Sequence, residues 1–313
     1  MKYLPRWVAP LISPLTRARQ CAPGVLLMTA VVVLSFTTAS ASAADAHSAA
    51  ALKAKYTELA PQLKNNQFQR PLVMNSTESS GSLKGDIYAV VDYPFAAVNT
   101  AFNSTDHWCD MLILHLNTKY CRASNDNGAS KLAVSIGKKH DQPLADAYRV
   151  NFTFATATGS PNYLDVMLNS RDGPMGTSDY KILLEAVAVD EGHTFLHLTY
   201  SYAYGMAARI AMQAYLATVG SGKVGFTRTG KGSAQDDYIG GVRGVVERNT
   251  MRYYLAIDAY LSATNAAPGE QLDKRLNNWF AGTERYPKQL HEVDRNDYLQ
   301  MKRSEYQRQQ SPQ

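Results

Sequence analysis

The chain has 313 residues, with 32 Lys and Arg against 27 Asp and Glu, a formal net charge of +5 and 45% hydrophobic residues. That length can bury a sizeable core, and that balance excludes both a disordered polyelectrolyte and a strongly basic nucleic-acid binder. Three cysteines are too few for a disulfide-dense scaffold.

The basic residues are unevenly placed. Lys2, Arg6, Arg17 and Arg19 form an acid-free leader, followed by an apolar run over 25–36 and small residues over 37–44. This is the order of a secretory signal peptide, expected over 1–43. The apolar run is shorter than the roughly 20 residues of a membrane-spanning helix, and no later segment is longer and equally apolar, so no transmembrane segment is expected in the mature chain. Ala41, Ser42 and Ala43 supply an A-x-A pattern that places cleavage after Ala43, with Ala41 and Ala46 as alternatives. Cys21 precedes the apolar run, where a lipid-anchored cysteine cannot stand. Removing four leader charges takes the net charge from +5 to +1, which leaves no basic footprint for nucleic acid. The expected location is periplasmic or secreted.

Processing leaves Cys109 and Cys121, an even pair in an oxidising compartment, for which the default is a disulfide. Closing so short a loop stabilises a fold by about 3 kcal/mol in the chain-entropy picture. The other reading is a metal or nucleophile site using Cys109 with His107 or His115, and it needs a base and an orienting group that sequence does not place.

Along the mature chain, residues 49–66 read as a helix, with Leu52, Tyr56, Leu59 and Leu63 at spacings of three and four. Residues 75–85 read as a Ser, Gly and Thr linker, so 44–84 is a leader helix and linker. A strand over 86–92 stops at Tyr93 and Pro94 and feeds a helix carrying Phe95, Val98 and Phe102. A second short helix, over 106–116, is apolar at Met111, Leu112 and Leu114.

Strands follow, legible from alternation. Leu132, Val134 and Ile136 share a face, as do Leu164, Val166 and Leu168. Tyr148, Val150, Phe152 and Phe154 lie opposite Arg149, Asn151 and Thr153. Over 194–204, Leu196, Leu198, Tyr200, Tyr202 and Tyr204 lie on one face and Phe195, His197, Thr199 and Ser201 on the other. Turn residues at 125–128, 159–161, 173–176 and 190–192 argue for an antiparallel meander.

The chain then becomes helical over 206–219, passes a Gly-rich excursion at 220–232, and enters its longest amphipathic segment, 241–263. There Val242, Val246, Tyr253, Ile257 and Tyr260 define a stripe, with Arg243, Glu247, Arg248 and Asp258 mostly off it. Pro268 and Gly269 end it, a helix over 270–281 follows, and the mixed-charge stretch 295–308 reads as a solvated tail.

The strand, Pro94 and helix of 85–102, the Trp108 in the next helix, and the segment 241–263 carry a resemblance of topology. The order is similar to the START-like, or SRPBCC, superfamily with its helix-grip fold. The resemblance implies an α+β protein in which a curved antiparallel sheet of about seven strands wraps around a long C-terminal helix, with extra helices at both ends. The START-like domain would span 85–263, with a C-terminal helix and polar tail over 264–313. Members pass directly from the last strand into the long helix, whereas here 206–240 intervenes, so either 206–219 or 241–263 is the grip helix.

The resemblance also implies an apolar cavity between sheet and helix that takes a hydrophobic small molecule or lipid, with no cofactor. The candidate lining is Tyr148, Val150, Phe152, Phe154, Leu196, Leu198, Tyr200 and Tyr202 from strands and Tyr253, Ile257 and Tyr260 from the helix. Apolar walls with a few polar handles suit such a pocket, and tyrosine supplies both. The competing reading is that these side chains fill a core. An enzyme in the same cavity, a hydrolase or cyclase, needs converging ionisable groups; an envelope interaction module needs only a packed interior.

No catalytic or metal-binding residue is assigned. His193 and His197 are too far apart for a local chelate on a strand rising about 3.3 Å per residue, and read as surface or satisfied groups. Among Asp106, His107 and Asp110, helix capping by Asp106 is the cheaper explanation. No H-E-x-x-H, G-x-S-x-G, P-loop or dinucleotide fingerprint is present.

Overall fold

The computed structural model describes residues 47–156, 162–218, 220–230 and 237–311. The leader expected over 1–43 and the turn at 159–161 lie outside the described residues.

Helix α1 (Ala49–Lys64) opens the described chain, with Ser48 accepting the Ala51 backbone N–H as its N-cap. The stretch expected as a linker is instead a hairpin. Strands β1 (Leu72–Ser79) and β2 (Ser82–Val91) pair along their whole length and turn at Gly81, whose φ is +91°. Ser and Thr obscured this pair because only one of its faces needs apolar residues. Helices α2 (Phe95–Phe102) and α3 (Thr105–Leu112) follow, then β3 (Thr118–Asp126), β4 (Ala129–Ile136), β5 (Tyr148–Thr156), β6 (Tyr163–Asp172), β7 (Thr177–Ala188) and β8 (Thr194–Tyr204). The eight strands form one antiparallel sheet in the order β1-β2-β8-β7-β6-β5-β4-β3, so β2 closes against β8 and the strands between them run as a meander.

Helix α4 (Met206–Ala217) lies near the surface and buries only Ala208 among its residues. The grip helix is α5 (Gly241–Leu261), which packs on β1, β2 and β8. Helices α6 (Pro268–Glu284) and α7 (Pro287–Leu290) then cover its far side, and α8 (Arg295–Gln310) packs on α6 and β3. The result is the α+β helix-grip architecture, with eight strands rather than about seven and with extra helices at both ends.

One expectation fails through the burial of polar residues. The stretch read as a solvated tail is α8, which buries Tyr298, Leu299, Met301, Lys302 and Glu305 against the sheet. Lys302 and Lys119 share Glu305 there, at 2.7 and 2.9 Å, so the burial is hidden behind charged letters. The outer face of β8 is buried too: Phe195 packs in a cluster with Leu52, Leu59 and Leu63 of α1, and Thr199 donates to Asp86 at 2.6 Å.

Cys109 on α3 and Cys121 on β3 form a disulfide with a Cα separation of 5.2 Å, which staples the short helix to an edge strand. The competing nucleophile reading falls with it. Close approach of α5 to the sheet depends on Gly85 of β2, where an added Cβ would stand 2.2 Å from Thr250 Oγ1.

Gly85→Ala is therefore expected to lower stability by about 1–3 kcal/mol through overpacking, and Thr250→Ala in the same chain to restore part of the loss. Urea denaturation of the two variants checks this, and a Gly85→Ala midpoint equal to wild type would contradict the contact. Replacing both cysteines by Ser should cost about 2–4 kcal/mol on the same assay.

Candidate functional site

The sheet's inner face and α5 enclose the core, and most of the expected pocket residues are spent in filling it. Val150, Phe152, Leu196, Leu198 and Ile257 are buried within one continuous apolar cluster, with Phe154 packed partly buried against it. Tyr148 departs from expectation and is 45% exposed. Its strand pairs with β6 only over Thr153–Thr156, so the first half of β5 parts from its neighbour and leaves Tyr148 outside the core. Tyr260 is buried at the far end of α5, against Phe102 and beneath the Arg275 guanidinium, 4.1 Å from the ring centre.

Tyr260 also borders a mixed polar depression of about 480 Å³ with Thr100, His107, Gln271 and Arg275, whereas the apolar space lies at the other end. A cavity of about 300 Å³ sits between α4, the N-terminal half of α5 and the ends of β7 and β8. Tyr180, Tyr200 and Tyr202 make its sheet wall; Ala208, Ala211, Met212 and Tyr215 come from α4, and Val245 and Asn249 from α5. Pro174, Met175 and Thr177 close one side, and Met175 stands at the rim, 70% exposed. Of the residues expected from sequence, Tyr200 and Tyr202 line this cavity, and Tyr253 backs it through a ring contact with Tyr200 at 5.1 Å.

The tyrosines form a continuous aromatic surface. Tyr180 stacks on Tyr202 at 5.2 Å between ring centres with planes 12° apart, and Tyr200 meets Tyr202 at 5.6 Å. Burial pushes the phenols of Tyr180, Tyr200, Tyr202 and Tyr253 above their ordinary range, so each is a neutral donor and acceptor at neutral pH. The remaining liners were missed for local reasons. Tyr180 belongs to β7, whose buried residues Ile182, Leu183, Leu184, Ala186 and Val187 face both sides of the sheet and so show no alternation. The α4 liners belong to a helix apolar on more than one side, whose cavity-facing stripe does not stand out.

A second polar constellation lies on the outer face of the sheet. His197 Nδ1 is 2.7 Å from Glu185 and its Nε2 is 2.9 Å from Asp86, while the Tyr88 ring stacks on the imidazole at 4.2 Å. With a carboxylate at each nitrogen, both nitrogens donate and the ring is an imidazolium. Burial opposes that charge, but the hydrogen bonds to Asp86 and Glu185 outweigh it and hold the His197 pKa above its usual value. Burial likewise opposes the carboxylates, yet the His197 bond, with Thr199 and Lys84 at Asp86 and Tyr163 at Glu185, keeps both pKa values low. The expectation of a satisfied histidine holds here, and His193 is exposed beside Asp190.

His47, Asp165 and Glu185 offer ligand atoms within 4.8 Å of one another and form the group among the described residues that could hold a metal ion. Both Glu185 oxygens are already engaged, by Tyr163 and His197, which weighs against that use. At the third candidate cluster, His107 bonds the Ala101 carbonyl and Asp110 pairs with Arg275 at 2.9 Å; Asp106 is not the cap expected of it, because the N-cap is Ser104 and Asp106 falls inside the first turn of α3. These roles are structural.

No family model matches the chain, and no curated protein matches it. Similar solved structures include a conserved protein from Geobacillus kaustophilus, 10% identical, covering 57% of this chain and 95% of that one with a TM-score of 0.34. Norcoclaurine synthase from Thalictrum flavum is 11% identical over 44% of this chain and 87% of its own, with a TM-score of 0.31. The Zhui aromatase/cyclase from Streptomyces sp. R1128 is 12% identical over 43% and 71%, with a TM-score of 0.29. At these scores the likeness carries no inference about ligand or activity.

The outer-face cluster sets a pH dependence. The raised His197 pKa gives stability that is fully present below its unfolded value near 6.5 and lost as pH rises through the folded value. The lowered Asp86 and Glu185 values give stability present above about 4.5 and lost as pH falls through theirs. The stability difference between wild type and His197→Gln should therefore be largest between these limits and shrink on either side. Denaturant titrations from pH 3 to 9 read it, and a difference that does not decline above about pH 7 would contradict the imidazolium.

Proposed function

We propose that this is an exported binding protein that holds a hydrophobic small molecule, of the size of a single-chain lipid, in the cavity between α4, α5 and the tyrosine wall. The observation that carries the reading is an apolar cavity of about 300 Å³ between α4, α5 and the tyrosine wall, beside a closely packed apolar cluster. That volume is at the lower end of small-molecule sites, and its apolar walls with a few hydroxyls suit an apolar body with one polar end. The liners offer phenols, one threonine hydroxyl and one amide but no imidazole, carboxylate, thiol or amine, which favours binding over acid–base chemistry. Exposed Met175, Met206 and Ile210 give an apolar ligand an apolar approach to the rim.

Export rests on the leader order of basic, apolar and small residues, and on an even cysteine pair that is joined. Among the described residues no helix is long and apolar enough to cross a membrane.

Protein purified without detergent from an envelope fraction should begin at or near Ala44, and native mass spectrometry should show it carrying a hydrophobic mass. Ala211→Phe fills the cavity from α4 and should weaken uptake of the neutral fluorophore N-phenyl-1-naphthylamine by tenfold or more at matched folded fraction. Uptake unchanged by that substitution would move the site elsewhere, and an intact Met1 leader on the envelope product would overturn export.

A further inference from the structure

Behind the α5 wall of the cavity stands a group of four cations, two of them buried and two half-buried. Arg248 and Arg252, one turn apart on α5, are 2% and 1% exposed. Lys139 and Lys223 converge with Arg252 on one carboxylate, Glu292, at 2.6, 3.6 and 2.8 Å. Among the described residues no carboxylate lies within salt-bridge reach of Arg248, whose NH1 donates to the Val224 carbonyl; it also bonds Tyr215 and feels Glu292 and Glu247 at longer range, yet burial outweighs them and lowers its pKa. The nearby Glu247 is occupied by Ser76 and by Phe226 and Thr227. Four cations thus face two carboxylates, one of them already saturated with neutral donors.

Donors are in surplus there too. Arg252 Nε is buried without a partner. His115 accepts the Asn117 N–H at Nδ1, and burial with neighbouring Arg252 and Lys302 keeps its ring neutral. Its Nε2 therefore carries a proton, and that atom is also buried and unpartnered. Unpaired donors and uncompensated charge are costly inside a protein, and such atoms in a folded chain call for an absent acceptor.

The cluster reaches the cavity through two of its liners. Asn249 accepts from Arg252 NH1 at 3.3 Å, and the Tyr215 hydroxyl accepts from Lys139 at 3.4 Å. The cavity is thus apolar at the tyrosine wall and cationic behind Asn249 and Tyr215. We propose that the ligand is a single-chain amphiphile with a carboxylate head, its chain against Tyr180, Tyr200 and Tyr202 and its head drawn to Arg248 and Arg252 past Asn249. This rests on the cavity being the ligand site. A guanidinium fork matches a carboxylate, and a charge-assisted contact of this kind separates acid from alcohol where an apolar wall cannot.

The test compares dodecanoate with dodecanol, each competing with N-phenyl-1-naphthylamine for the purified protein. Dodecanoate should bind about tenfold to a hundredfold more tightly. Arg248→Met should bring the acid-to-alcohol ratio towards one. Asn249→Asp, which sets a carboxylate in the wall and keeps the helix intact, should lower the ratio by tenfold or more even where Arg248→Met fails to fold. Equal affinity for acid and alcohol in the wild type, or a ratio unmoved by Asn249→Asp, overturns the carboxylate head while leaving the cavity in place. Failure of the fluorophore and both amphiphiles to bind removes the cavity as a site, and the head-group assignment with it.

Discussion

The structure depends on burying α5 on nearly every side while it carries Glu247, Arg248 and Arg252. Fifteen of its 21 residues are buried, and the three charged ones are among the least accessible in the molecule. A charged group removed from water needs partners close at hand, and the surrounding chain is arranged to supply them. The segment before α5 bends so that the Phe226 and Thr227 backbone N–H groups cap Glu247 at 2.6 and 2.9 Å. The segment after α7 brings Glu292 to Arg252. The helices that follow α5 therefore do more than decorate a sheet and helix: they close the far side of a helix that cannot face solvent or apolar core alone.

The sheet is divided in the same way. Its inner face meets α5 across a mainly apolar core, and its outer face is covered by α1 over a smaller cluster including Val73, Tyr163, Val187 and Phe195. Across β2, β8 and β7 the outer face holds Asp86, His197 and Glu185, a charged row completed by Lys84, Thr199 and Tyr163. Among the described residues the most apolar opening against the helix-grip core lies near α4. There the chain leaves β8, crosses the end of the sheet before α5 begins, and holds its wall back from the tyrosines. The insertion that separates this chain from a direct strand-to-helix passage is thus the element that makes the cavity.

Much of this was legible in the residues, and the rest was hidden for physical reasons. Strand β8 is found over the residues expected from its alternation, and α1 and α5 follow from their apolar spacing. The β1–β2 hairpin was obscured by Ser and Thr, and β7 by burial on both faces. Helix α8 was masked by the lysines and glutamate it buries as pairs, and Tyr148 was misplaced because alternation gives the face of a strand but not whether a neighbour covers it. The same limit applies to the site. Sequence named Tyr200, Tyr202 and Tyr253, while Tyr180, Met212, Tyr215 and Asn249 join them only when β7, α4 and α5 meet in three dimensions.

The most direct measurement of the central claim is where a bound apolar probe touches the protein. Isotope-filtered NOE spectra of the protein with N-phenyl-1-naphthylamine should connect the probe to ring protons of Tyr180, Tyr200 and Tyr202 and to the Met212 methyl group. Contacts confined to the separate depression of Phe68, Phe226 and Tyr238, or none to the tyrosine wall, would contradict the account.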